Sequence, residues 1–137
     1  MTRIEGRWAG EALSLLRIVA ALLFVLHGTS KLVGFPPFPM ELPNPGELLW
    51  IAAVLELVGG LMLLVGIFSR PVAFILSGEM AVAYFWRHLP GGFWPILNRG
   101  ELAALFCFIF LFFAAHGPGT WSLDALLRRR KDGAAAG

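Results

Sequence analysis

Charge is scarce in this chain. Asp, Glu, Lys and Arg make up 15% of its residues, against about a quarter in soluble domains. With 58% of residues hydrophobic and a mean hydropathy of +0.74, that scarcity excludes an ordinary water-soluble core at this length. Cysteine is scarcer still. Cys107 stands alone inside an apolar segment, so an intrachain disulfide, a CxxC redox pair and a thiolate metal cluster are excluded. It reads as a small buried hydrophobe. A single tyrosine against twelve Phe and five Trp makes the aromatic set apolar. The sequence has no phosphate-binding Gly loop, nucleophile elbow or dinucleotide fingerprint, and no nucleotide is expected. No His/Cys/carboxylate group has the spacing of a metal ligand set.

What the chain does have is length of apolar run. Four stretches reach roughly the 17–25 residues that cross a hydrocarbon core. They run from about Leu13 to Val33, Leu48 to Phe68, just after Pro71 to His88, and Ile96 to His116. Phe35-Pro36-Pro37-Phe38-Pro39 and Pro43-Asn44-Pro45-Gly46 form a stiff break. Ser69-Arg70-Pro71 makes a tight reversal, with Pro71 in the first turn of the next helix. Pro90 to Pro95 and Gly117-Pro118-Gly119 mark the remaining breaks. Arg17 and Lys31 sit in and beside the first stretch, and no small-x-small site follows it, which argues against a cleaved signal peptide.

Short loops make consecutive helices antiparallel, so the expected fold is all-α: an up-down bundle of four transmembrane helices. Gly59, Gly60 and Gly66 permit close helix approach. Basic residues concentrate on one side, at Arg3, Arg7, Arg70 and the run Arg128 to Lys131. Both termini are therefore expected in the cytoplasm, with Trp50, Trp86 and Trp94 near the outer interface. The basic run lacks any nucleic-acid-binding fold or aromatic platform and reads as an anchor beside anionic lipid. The expected parts are a cytoplasmic segment over 1–12, the transmembrane domain over 13–127, and a basic tail over 128–137. The Gly/Ala-rich end of that tail, from Asp132, reads as disordered.

Ionisable side chains at membrane depth each cost roughly 2.5–3.5 kcal/mol on insertion scales and so mark sites of interest. Arg17, His27 and Lys31 fall within an arc of about 80° on the first helix, at 100° per residue. Glu56 and Glu79 lie near the middles of the second and third helices, and Glu101 opens the fourth. By depth, the His27/Lys31 end should meet Glu56 or Glu101, and Arg17 is expected to pair with Glu79. A His–Glu–Lys cluster beside an apolar slot suits a quinone, whose carbonyls accept hydrogen bonds and whose reduction consumes protons. Haem is disfavoured, because His27, His88 and His116 do not form a convincing axial pair.

Together these landmarks resemble the DoxX family of small bacterial and archaeal membrane proteins. The matching residues are Leu16-Arg17, His27-Gly28 with Lys31, Glu56 to Gly60, Leu64 to Pro71, Asn98 to Glu101 and Gly117 to Asp124. The resemblance implies residence in the cytoplasmic membrane and a subunit role beside a terminal quinol oxidase or in thiosulfate:quinone oxidoreduction. It also implies redox partner proteins. Carried over by position, the motif residues are Arg17, His27, Lys31, Glu56 and Glu101. Arg99 departs from a stretch where the family often has Gly.

The expected function is a subunit of a quinone-linked oxidoreductase. His27, Lys31, Glu56 and Glu101 would serve a quinone headgroup or a proton relay, with partner proteins or a second copy supplying the rest. The competing expectation is a non-catalytic assembly subunit whose buried charges only fix helix pairing. A small-solute or proton transporter ranks last, for want of an inverted repeat or a discontinuous helix pair.

Overall fold

A computed structural model describes residues 3–135. Residues 1, 2, 136 and 137, the outermost positions of the expected N-terminal segment and basic tail, lie outside the described residues. Among the described residues the secondary structure is all helical, without strands. The elements are α1 (Arg3–Val33), α2 (Leu48–Val65), α3 (Ser69–Ala83), α4 (Pro95–Asn98), α5 (Glu101–His116) and α6 (Leu123–Ala135). Within α1 the stretch Trp8–Val33, and α2 over its whole length, are long and apolar enough to cross a membrane. α5, at 16 residues, is equally apolar but shorter.

α1 packs on α2 and α3 on α5, with α2 against α3 joining the two pairs. Phe24, Leu63, Leu76, Phe106, Phe110 and Phe113 meet in one apolar core drawn from α1, α2, α3 and α5. Phe24 lies edge-on to Phe110, ring centroids 4.6 Å apart. Ser77 Oγ donates to the Cys107 carbonyl at 2.8 Å, tying α3 to α5.

The glycines set the helix spacing. A Cβ on Gly28 would stand 2.6 Å from the Leu57 backbone nitrogen, so the backbones of α1 and α2 touch there. Gly60 faces Val25 of α1 and Gly59 faces Leu76 of α3, as the sequence leads one to expect of small residues. Gly66 closes α2 at φ 75°, its N–H and that of Ile67 both donating to Met62 O.

One end of the molecule gathers the first turns of α1, the α2–α3 turn and the α5–α6 loop. Trp121 N donates to Ser14 Oγ, and Asp124 N to Gly66 O. The Asp124 carboxylate accepts from Phe68 N and Ser69 N at 3.0 and 2.8 Å, capping α3 from outside its own helix. Pro71 falls in the first turn of α3, as its fixed φ requires.

The structure departs from the sequence expectations in three places. The third apolar stretch does not stay α-helical to His88, but widens into a π-helical turn over Tyr84–His88. The fourth is split: Arg99, at φ 61°, and Gly100 separate α4 from α5. The stretch from Asp132, expected to be disordered, continues α6 as helix as far as Ala135.

Candidate functional site

The close approach of α1 and α2 at Gly28 brings the side chains one turn further along within bonding distance. Lys31 reaches across to α2, where its Nζ donates to both oxygens of Glu56 at 2.6 and 2.8 Å. The Glu56 side chain is only 2% exposed and that of Lys31 16%. The expected meeting of the His27/Lys31 end with an acidic helix is therefore resolved in favour of Glu56.

His27 stands one turn before Lys31, and its Nδ1 lies 2.7 Å from Leu23 O. A carbonyl only accepts, so the contact puts a proton on Nδ1 and leaves Nε2 of the neutral ring as an acceptor. The ring sits edge-on to Phe106, with centroids 6.4 Å apart.

These groups line a cavity of about 850 Å³. Its walls are mostly apolar, from Phe24 of α1, Leu48, Ile51 and Leu55 of α2, Met80 of α3 and Phe106 of α5. Phe38 and Met40 come in from the Pro-rich loop. The π-helical turn adds Trp86, Arg87 and His88, and such turns recur at functional sites. Arg99 also lines it.

Glu79 completes the polar set. Both of its carboxylate oxygens are buried, neither has a hydrogen-bond partner, and the side chain faces the same cavity. It lies within Coulombic reach of Glu56 and Lys31.

Two sequence expectations need correction. Arg17 does not pair with Glu79. Its Nη1 and Nη2 donate to the carbonyls of Pro118 and Trp121 at 3.1 and 2.7 Å. Glu79 lies ten residues along α3 from that end, about 15 Å of helix rise and out of reach. Glu101 does not join Lys31 either: it is exposed at the start of α5 and lies outside the cavity lining. The cavity face of α5 is that of Leu102, Ala103 and Phe106, and at 100° per residue Glu101 falls about 150° from it.

Asn98, which the sequence offers only as part of the Asn98 to Glu101 motif, is a polar centre of the structure. It is buried, donates to Gly92 O at 2.8 Å and accepts from Gly100 N at 2.8 Å, while His88 Nδ1 lies 3.2 Å from its carbonyl. An amide among turn residues is its only other signal. Among the described residues, no three of His, Cys, Asp and Glu cluster as metal ligands would.

A DoxX family profile matches residues 12–89, from the first helix through the π-helical turn. The chain belongs to the DoxX family. A Haemophilus influenzae protein of uncharacterised function is 47% identical over 118 residues, covering 82% of this chain and 87% of its own. The inner membrane protein YqjF of Escherichia coli is 29% identical over 119 residues, covering 83% and 90%. A Bacillus subtilis protein bearing the name "Putative oxidoreductase CatD" is 24% identical over 120 residues, covering 85% and 87%. No solved structure matches the chain. All the polar groups of the cavity except Arg99 fall inside the DoxX match.

Proposed function

We propose that this DoxX protein is a multi-pass subunit of the bacterial inner membrane. In this reading α1, α2, α3 with its π-helical extension, and α5 form an up-down four-helix bundle with both termini cytoplasmic. Its cavity holds the headgroup of a quinone for an oxidoreductase system. The inner-membrane name of YqjF and the oxidoreductase name of CatD support the setting. So do exposed tryptophans at both ends: Trp8 and Trp121 at one, Trp86 and Trp94 at the other.

One observation carries the reading: the unpartnered Glu79 carboxylate beside the Lys31–Glu56 pair, in a mostly apolar cavity. A quinone fits that donor set, with an apolar ring for the walls and carbonyls for an N–H donor. When bound, it supplies two-electron, two-proton redox chemistry, the electrons coming from or going to a partner protein. Lys31 spends two of its three N–H bonds on Glu56 and keeps one for a carbonyl. His27 Nε2 is set to accept a hydroxyl proton. Glu79 holds or passes a proton at its free oxygens, and Glu56 keeps Lys31 aimed.

The test is to extract mildly purified protein and quantify its quinone in wild type and His27→Ala. Near-stoichiometric quinone that drops in the variant is the expected result. Quinone at the lipid background in both samples would overturn the reading and favour an assembly subunit with structural charges.

A further inference from the structure

Helix α6 is amphipathic the wrong way round for a helix in water. At 100° per residue, Ala125, Arg128, Arg129 and Asp132 share one face of about 100°. Leu123, Leu126, Leu127 and Arg130 occupy the opposite one. The first, largely charged, face is the one turned toward the protein. It lines a cleft of about 320 Å³ against Gly10 and Leu13 of α1 and the loop at Pro118 to Thr120. The leucines point away, 40–48% exposed, with Trp121 beside them at 50%. Arg130 lies among these leucines and Lys131 flanks them.

We infer that α6 lies in the membrane surface, its leucines among the acyl chains and Arg130 and Lys131 on the headgroups of anionic lipids. Three observations choose a lipid surface over another occupant. The helix starts seven residues after His116, where α5 ends, so the bilayer surface is beside it. Its apolar face carries Arg130, with Lys131 at the edge, and the carboxylate at that edge, Asp124, is already taken up by Phe68 N and Ser69 N, which leaves a face that matches an anionic surface. Its start is also fixed to the body, since Asp124 is held by Phe68 N, Ser69 N and the Gly66 carbonyl. That anchorage sets the helix's rotation and aims the leucine face outward.

The inference rests on the bilayer placement proposed above and not on any quinone. The experiment uses the full chain carrying Cys107→Ser, with a nitroxide at Leu126→Cys, in nanodiscs of phosphatidylglycerol or of phosphatidylcholine. A second label at Phe108→Cys, on the exposed face of α5, reports whether the chain has entered the bilayer. Collision with oxygen and with a water-soluble nickel chelate is the readout. The expected result is a lipid-buried Leu126 label in phosphatidylglycerol. It should turn water-exposed in phosphatidylcholine and in Arg130→Gln/Lys131→Gln. A Leu126 label exposed in both lipids, or equally buried in both, overturns the inference. So does one reached by neither reagent, which would mean a protein occupies the face. A water-exposed Phe108 label would instead sink the bilayer placement, and the α6 inference with it.

Discussion

Lys31 and Glu56 form a two-bond ion pair between α1 and α2, with Nζ 2.6 and 2.8 Å from the two carboxylate oxygens. Neither charge has an alternative partner among the described hydrogen bonds, and Glu56 is nearly inaccessible. Breaking such a pair from one side strands a buried charge, at about 3–5 kcal/mol, whereas replacing both sides by apolar groups can be neutral. Lys31→Met and Glu56→Leu should therefore each lower the thermal midpoint in detergent strongly. The double variant should recover most of the loss. Additive losses would mean that the two charges do not depend on each other.

Gly28 is what lets the pair form. Gly28→Leu should push α1 from α2 at the Leu57 backbone, costing about 1–3 kcal/mol by overpacking. Gly78, with nothing within 4 Å of an added Cβ, serves as the control. Chemical denaturation of Gly78→Ala should show no loss of stability, since the space is open and Ala is the better helix former by about 0.8–1.0 kcal/mol.

What is legible in the sequence and what is not divide along a physical line. Hydropathy and breakers depend on local composition, so most helix positions and the Gly59 and Gly60 contacts can be read from the chain, whereas Gly66, expected inside α2, is its left-handed cap. Helical phase puts His27 and Lys31 on one face, and depth offers Glu56 as a partner. The sequence misleads where the backbone leaves the α-helix. Neither the π-helical turn at Tyr84–His88 nor the left-handed Arg99 has a hydropathy signal, and both lie beside the cavity that Arg87, His88 and Arg99 line. Arg17 misleads for another reason, since a charge pattern points only to opposite charges as partners. The carbonyls of Pro118 and Trp121, about a hundred residues away, satisfy it instead.

Asp124 ties α6 to the start of α3. Replacing an N-cap acceptor by Ala costs about 0.5–2 kcal/mol, and here the contact is also the joint between two elements. Asp124→Ala should speed amide exchange at Phe68 and Ser69 and loosen α6, leaving the Lys31 end unchanged. Protection unaltered at those two amides would contradict the assigned cap.

Glu47, in the loop before α2, accepts from the Asn44 side chain and backbone N–H, both at 3.0 Å. Those bonds hold its carboxyl below the ordinary 4.5. A depressed folded value means that the contact contributes above the unfolded pKa and is lost as pH falls through the folded one. Asn44→Ala should move the Glu47 titration, followed by carbon NMR, back up toward 4.5. No movement would assign the depression to another cause.

Photolabelling with an azido-quinone tests most directly whether a quinone headgroup sits between Lys31, His27 and Glu79. The full-length protein, labelled in membranes and mapped by mass spectrometry, should carry the adduct on cavity residues such as Phe24, Leu55, Met80 or Phe106. An excess of unlabelled quinone should compete it away. Adducts confined to outward-facing side chains such as Phe108 and Phe112, unmoved by competitor, would contradict a quinone site in this cavity.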